Sequence, residues 1–321
     1  MRFTARPFVE GFHMNLLLTG AFRYAEKQLD KIRSLGYNIL FVQDERVPLE
    51  IDVSGIEAVV CNSLFLHNDI SRFKNLKFVQ LTSAGLDRAP MEYISSRGIC
   101  IKNAAGVYSI PMAEWAVLKI LEIYKKSRRF YELQGRHQWE KQHDVLELAG
   151  KIAAVIGFGN TGKETAKRLK PFGVKIIAVD QRRLEPEEEK LADAVLKPPV
   201  TEKMLKKTDI LILSLQLAEK TRHFLNKERL AIMKKKSIIV NVSRGGVVDQ
   251  VALTEALQGG KLLGAALDVF EEEPLPGSSP LWDMERVIIT PHNSFVSEKI
   301  NERLFNLILS NLSTLKQEGK R

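Results

Sequence analysis

Residues 151–180 read KIAAVIGFGNTGKETAKRLKPFGVKIIAVD. Ile152–Ile156 is a short unbroken apolar run, the pattern of a strand buried on both faces. Gly157, Phe158, Gly159, Asn160, Thr161 and Gly162 follow at once. A helical pattern then puts Ala166 and Leu169 on one face and ends near Pro171 and Gly173. Residues 174–179 read as the next strand, with Asp180 at its end. Each residue type has a physical reason. Gly157 permits a tight turn out of the strand, Gly159 lets a pyrophosphate approach the backbone, and Gly162 lets the helix pack close to the sheet. The first N–H groups of the helix and its positive dipole end face the phosphates. A carboxylate at the end of the second strand accepts from ribose hydroxyls. The unit therefore predicts dinucleotide binding. A flavodoxin-like or methyltransferase domain shares part of the pattern, and Asp180 suits a methyltransferase cosubstrate too.

Working outward, the chain before this unit alternates short strands and helices. Strands are expected at 16–18, 39–42, 58–60, 78–81 and 100–101, with an amphipathic helix at 25–35 and another near Phe73. Such alternation implies a parallel sheet, whose ligands bind beyond the carboxyl ends of the strands. Ser83, Ala84 and Gly85 lie at such an end, where small residues leave backbone N–H groups open to an anion, although taken alone the triplet reads as an ordinary tight turn. Residues 112–130 read as one long helix, apolar on much of its circumference and entered at Pro111. Residues 135–143 are polar and contain Trp139, an interface anchor or a lid.

Beyond Asp180, strands are expected at 209–214, 237–242, 264–267 and 287–290, a helix at 251–257 and a terminal helix at 296–321. Their ends carry Leu215, Ser243, Asp268 and His292, which should converge with Gly157 at one edge of a parallel sheet.

The chain has 321 residues, 45% apolar and 27% charged, enough for two domains with cores of their own. No apolar run reaches membrane-spanning length, and no signal peptide is visible. Met14 is followed by a good first strand, so residues 1–13 read as an appendage. Cys61 and Cys100 give neither metal spacing nor a disulfide framework and read as buried thiols of a cytoplasmic protein. No metal site is expected. The net charge of +9 is spread in small groups interrupted by acidic clusters, which reads as solvated faces and not as a nucleic-acid surface. It would help draw in an anionic substrate and cofactor.

Arg244, Glu273 and His292 lie at or near strand ends of the second array. Hydride chemistry on a 2-hydroxy acid needs a cation for the carboxylate and a base for the hydroxyl proton. An arginine fork matches a carboxylate, and imidazole titrates near neutral pH. An acid beside the imidazole completes the set. Singly, each residue has an ordinary reading: a surface arginine in a glycine turn, a solvated acid in an acidic run, a loop histidine. His13, His67, His137 and His143 look like loop or surface residues, and His223 looks structural.

Gly157–Gly162 with Asp180, the run 241–246, the run 267–274 and Thr290-Pro291-His292 together resemble the D-isomer-specific 2-hydroxyacid dehydrogenases. Ser83 to Asp87, Ala105 to Tyr108 and Ala113-Glu114 match in order, so the likeness spans nearly the whole chain from Met14. The resemblance implies an α/β fold with two doubly wound parallel-sheet domains. One is a Rossmann NAD-binding domain over 104–292, and the other is a flavodoxin-like substrate domain over 1–103 plus 293–321. It implies that Arg244 holds the substrate carboxylate and carbonyl, that His292 is the acid/base, and that Glu273 bonds the other ring nitrogen. Ser83, Ala84 and Gly85 would bind the carboxylate. Gly157 to Gly162, Asp180, Gln181, Arg182, Leu215, Gln216, Thr221, Val242, Ser243 and Asp268 would line the cofactor, with Asp268 meeting the nicotinamide amide. It further implies a homodimer through residues 107–145, with Trp139 in the region where some relatives reach the partner's pocket.

Two departures stand out. Gln216-Leu217-Ala218 replaces the usual Pro-Leu-Thr after the strand ending at 214. Asp180 argues for NAD because it repels a 2′-phosphate, yet Arg182 and Arg183 follow it and suit NADP. NAD is the favoured reading, with NADP the alternative. The substrate expected is a small 2-keto acid such as glyoxylate or hydroxypyruvate. A short phosphoglycerate dehydrogenase without a C-terminal regulatory domain, a phosphite dehydrogenase and a cofactor-sensing corepressor are the alternatives. The pocket around Tyr108, Trp139 and Trp282 is not legible from sequence.

Overall fold

Two parallel sheets organise the structure, a computed structural model that describes residues 14–318. The expected appendage at 1–13 lies outside the described residues. The chain divides into two units: the described residues up to Tyr108 together with those from Ser297 on, and Ser109–Val296. The divisions fall a few residues beyond 103 and 292. Ala104 and Val107 still pack in the core of the first unit, which sets the earlier boundary.

In the first unit the strands are β1 (Met14–Thr19), β2 (Tyr37–Val42), β3 (Ala58–Cys61), β4 (Phe78–Leu81) and β5 (Cys100–Lys102), in the spatial order β2-β1-β3-β4-β5. All pairings are parallel. This is the flavodoxin-like order. Leu16 and Leu18 point into one core and Leu17 into the other, as the two-residue period of a strand requires. All three are fully buried, each worth roughly 1.5–3 kcal/mol of apolar transfer. The helix Ile300–Glu318 returns to this unit and packs Leu304, Phe305, Ile308 and Leu312 against Leu16, Phe22 and Tyr37. The Tyr37 hydroxyl donates to the Leu312 carbonyl (2.7 Å), and Asn311 Nδ2 to Gln80 Oε1 (2.6 Å).

The second unit holds β6 (Ile152–Ile156), β7 (Lys175–Val179), β8 (Ala194–Leu196), β9 (Ile210–Leu213), β10 (Ser237–Asn241), β11 (Leu262–Leu267) and β12 (Val287–Ile289). Their order is β12-β11-β10-β9-β6-β7-β8, parallel throughout. The order reverses at β6, which lies between β7 and β9. A crevice at that switch point is where such sheets take ligands. Helices cover both faces, so the strands are apolar without alternation: Ala153 and Val155 enter one core, Ala154 and Ile156 the other.

Two expectations are corrected. The helix expected at 112–130 is two helices, Ser109–Lys125 and Ser127–Gly135. Lys126 adopts a left-handed conformation (φ 52°, ψ 40°) that breaks the ladder between them. Of the two cysteines expected to be buried, only Cys61 is, and burial pushes its thiol up. Cys100 is exposed because β5 is the edge strand of its sheet. Among the described residues, no helix is long and apolar enough to cross a membrane.

Candidate active site

The carboxyl ends of the seven parallel strands share one edge of the second sheet. Gly157 follows β6, Asp180 follows β7, Ser214 follows β9, Ser243 and Arg244 follow β10, Asp268 follows β11, and Thr290 to His292 follow β12. The strands β10, β11 and β12 are neighbours. With strands about 4.8 Å apart, the turns bearing Arg244 and His292 leave the sheet roughly 10 Å apart.

The glycine turn is built as three distinct solutions. Gly157 has φ +90°, and a Cβ there would stand 2.6 Å from the Ser214 carbonyl oxygen. Ser214 Oγ donates to the Gly157 carbonyl at 2.6 Å, which fixes the turn. A Cβ on Gly162 would meet the Gly157 carbonyl oxygen at 2.4 Å, so this glycine sets the helix-to-sheet distance. At Gly159 a Cβ would meet nothing within 4 Å. Gly159 is also the N-cap of the ten-residue helix Asn160–Leu169, and no side chain caps it. The open space and the uncapped first turn fit a pyrophosphate, with Asn160, Thr161 and Gly162 supplying N–H groups.

Asp180 stands beside this turn. Its Oδ2 accepts from the Phe158 N–H (2.9 Å) and its Oδ1 from the Arg182 N–H (3.0 Å). A carboxylate has further acceptor sites, so ribose hydroxyls can add to these bonds. Gln181 and Arg182 are exposed, and Phe158 buries its ring in the core beneath the turn. Leu215 is half-buried and Gln216 exposed; Thr221 Oγ1 donates to the Gln216 carbonyl (2.6 Å) and closes that loop. The Val242 side chain is buried, so it presents only backbone to a ligand.

The turn after β10 is shaped by Asn241. Its Oδ1 accepts from Ser243 N–H (3.0 Å) and Ser243 Oγ (2.7 Å), and its Nδ2 donates to the Arg244 carbonyl (3.1 Å). Arg244 is half-exposed, with Nη1 donating to the Ser243 carbonyl at 2.9 Å.

His292 Nδ1 lies 2.8 Å from Glu273 Oε2, and both side chains are 37% exposed. The carboxylate accepts from Nδ1–H, which leaves Nε2 as the basic nitrogen. Glu273 Oε1 accepts from the Phe270 N–H at 3.0 Å, so the acid is held at both oxygens. His292 has φ 51°, a left-handed conformation in which histidine is among the less disfavoured residues. Asp268, 1% exposed, explains how it is held there. Its Oδ1 accepts from Thr290 Oγ1 (2.5 Å) and Asn293 N–H (2.8 Å), its Oδ2 from Ser294 N–H (3.0 Å), and its carbonyl from His292 N–H (2.8 Å). Sequence reasoning gave no role to Asn241, Thr290, Asn293 or Ser294. An Asn closing a strand two residues before Ser-Arg-Gly-Gly is the available signal, since Asn side chains fold back onto the backbone of turns. A second imidazole–carboxylate pair, His223 Nε2 to Glu271 Oε1 at 2.6 Å, ties the loop after β9 to the turn after β11.

In the first unit, Ser83 Oγ donates to the Gly85 carbonyl (3.0 Å) and Asn103 Nδ2 to the Ala84 carbonyl (2.6 Å). Among the described residues, neither the Ala84 nor the Gly85 N–H donates to a protein group, and Ala84 is exposed. Two backbone donors there are available to an anion. The Tyr108 hydroxyl donates to the Thr82 carbonyl, and burial pushes it up, so it remains a donor. Among the described residues no group of His, Cys, Asp and Glu is placed to hold a metal.

Residues 117–294 match the family described as D-isomer specific 2-hydroxyacid dehydrogenase, NAD binding domain. The chain belongs to the D-isomer-specific 2-hydroxyacid dehydrogenases. This dehydrogenase is similar to a glyoxylate reductase of Thermofilum pendens, 35% identical over 243 residues that cover 74% of this chain and 71% of that one. It is also similar to a D-3-phosphoglycerate dehydrogenase of Methanocaldococcus jannaschii, 37% identical over 231 residues. That match covers 72% of this chain but only 44% of the longer relative. The dehydrogenase fold is shared with a crystal structure of a glyoxylate reductase from Paecilomyes thermophila, with a TM-score of 0.84, 24% identity, and 96% and 97% of the two chains covered. The enzyme is thus an oxidoreductase of CH–OH groups with an NAD-binding domain, and the uncapped turn at Gly159 fits that cofactor.

Proposed function

We propose that this dehydrogenase interconverts a small 2-keto acid, such as glyoxylate or hydroxypyruvate, with the D-2-hydroxy acid, using NAD in preference to NADP. The observation that carries the reading is the His292–Glu273 pair, held by Asp268 two strands from Arg244. Bound nicotinamide supplies or accepts the hydride at C2. His292 Nε2 takes the hydroxyl proton in oxidation and returns it to the carbonyl oxygen in reduction. Glu273 keeps Nδ1 protonated and stabilises the imidazolium that forms. Arg244 binds the carboxylate as a fork and polarises the carbonyl oxygen. Ala84 and Gly85 N–H groups donate to the carboxylate, with Ser83 shaping their turn. Asp268, beyond holding the loop of His292, has acceptor capacity for the nicotinamide amide. Residues up to 108 with those from 297 form the substrate domain, and 109–296 the cofactor domain.

A homodimer through residues 107–145 belongs to the same proposal. Leu118, Phe130 and Tyr131 are 50%, 40% and 66% exposed there, and Trp139 is 97% exposed, an apolar surface that a partner would cover. The unbridged Cys61 and Cys100 suit a reducing cytoplasm.

A panel of 2-keto acids, including phosphohydroxypyruvate, assayed with NADH and NADPH tests the reading. Fastest turnover on an unphosphorylated two- or three-carbon acid with NADH is expected. A phosphorylated substrate preferred a hundredfold would replace the substrate assignment, and binding without turnover on any acid would reject catalysis.

A further inference from the structure

Four charged side chains surround the end of β7, and their pairing has a consequence for the cofactor. Arg182 Nη1 donates to Glu188 Oε2 at 2.6 Å and Nη2 to Glu188 Oε1 at 3.2 Å, a two-pronged bond. The same Nη2 reaches the Phe158 carbonyl of the glycine turn at 2.7 Å. Lys163, in the first turn and a half of the helix behind that loop, puts Nζ 2.6 Å from Glu188 Oε1. Glu188 thus serves two cations and is itself well covered, with 14% of its side chain exposed. Its Oε2 also accepts from the Glu185 N–H (3.0 Å), which fixes it on the short helix Pro186–Glu189. Arg182 and Lys163 hold the Glu188 carboxyl down at about 2.

We propose that Glu188 is a specificity residue: by engaging Arg182 and Lys163 it withholds both cations from a 2′-phosphate and so selects NAD over NADP. The proposal rests on the reading that the Gly157–Gly162 turn holds a dinucleotide. Arg182 follows Asp180 by two residues and lies against the same turn, its Nε 3.7 Å from Asp180 Oδ2. Any ribose that meets Asp180 therefore comes up beside Arg182. With Glu188 present, the two acids and two bases balance. A 2′-phosphate arriving there finds both of these cations already neutralised. With Glu188 neutralised, one positive charge is in surplus and the guanidinium fork is released toward a phosphate, the geometry it matches best. Asp180 is a poor place to read this preference. Its carboxylate bonds the Phe158 and Arg182 N–H groups, so changing it disturbs the turn for both cofactors.

The test is binding alone. Dissociation constants of NADH and NADPH are measured by fluorescence titration for the full chain, Glu188→Gln, and Glu188→Gln with Arg182→Ala. Glutamine keeps an oxygen for the Glu185 N–H. The expected result is that Glu188→Gln shifts the NADPH-to-NADH affinity ratio about tenfold toward NADPH, and that adding Arg182→Ala removes the shift. An unchanged ratio overturns the proposal. A shift that survives Arg182→Ala but is lost on adding Lys163→Ala supports the proposal through Lys163; one that survives both replacements overturns it and would assign the phosphate to the neighbouring Arg183. If Glu188→Gln does not fold, Glu188→Met, which keeps the side-chain length and carries no charge, gives the same decision: a shift toward NADPH supports the proposal and an unchanged ratio overturns it. Failure of the native chain to bind either nucleotide would instead remove the dinucleotide reading itself.

Discussion

A Cβ placed on Gly245 would stand 1.8 Å from the carbonyl carbon of Phe270 and 1.9 Å from its oxygen. The turn that carries Arg244 is therefore packed backbone on backbone against the turn that carries Glu273. No side chain can give way to relieve the contact. Gly245→Ala should destabilise the second unit by about 2 kcal/mol, a fall in Tm of roughly 4–8 °C for a domain of this size. It should also lower kcat/KM by displacing Arg244 from the Glu273–His292 pair. A thermal melt and steady-state kinetics measure both, and native values in both would contradict the packing.

His292 sits at φ 51°, so its replacement must tolerate the left-handed region. Asparagine does so readily and carries no base. His292→Asn should retain cofactor affinity and lose turnover by about 10²–10⁴. Glu273→Gln should cost less and leave the imidazole in place. Native turnover of His292→Asn would take the imidazole out of the reaction.

Asp268 accepts from three donors of the loop that presents His292. Asp268→Asn turns an NH₂ group toward N–H or O–H groups and leaves buried donors unpaired, at about 1–3 kcal/mol. The expected readout is faster amide exchange at residues 290–296, together with weakened turnover. Unchanged exchange there would mean the loop is held by other contacts.

Glu188 gives a pH dependence of known sign. Its carboxyl lies at about 2 in the folded chain against a reference of 4.5, first through Arg182 and then Lys163. A lowered carboxyl contributes stability above its unfolded value, and that contribution fades as pH falls through the folded one. The Tm advantage of the native chain over Glu188→Gln should be full at pH 6–7 and shrink between about pH 4.5 and 2. An advantage that grows on acidification would reverse the assignment.

Residues 151–180 were legible because three glycines in one turn each answer a different demand: Gly157 and Gly162 each avoid a separate backbone neighbour, and Gly159 faces the open space a phosphate needs. The parallel strands were legible where both faces are buried, as at Ile210–Leu213. β8 was not, because Ala194–Leu196 is three residues long, half-exposed and at the sheet edge. The break at Lys126 carries neither Gly nor Pro, so periodicity ran through it. Arg182 read as a cation available to a phosphate because nothing local says that a short helix will bring Glu188 back to it. The clamp on Asp268 spans about twenty-five residues of sequence and exists only because β11 and β12 are neighbours.

The helix Ile300–Glu318 supplies one wall of the first unit, whose other residues end at Tyr108. During synthesis, the segment of the first unit that ends at Tyr108 is made before the second unit and must wait with Leu16, Phe22 and Tyr37 uncovered until Leu304, Phe305 and Leu312 leave the ribosome. The later-made sheet has every strand in hand once Ile289 emerges. Vectorial translation thus inverts the order of completion, and the exposed early segment is where a nascent chain of this enzyme would engage a chaperone.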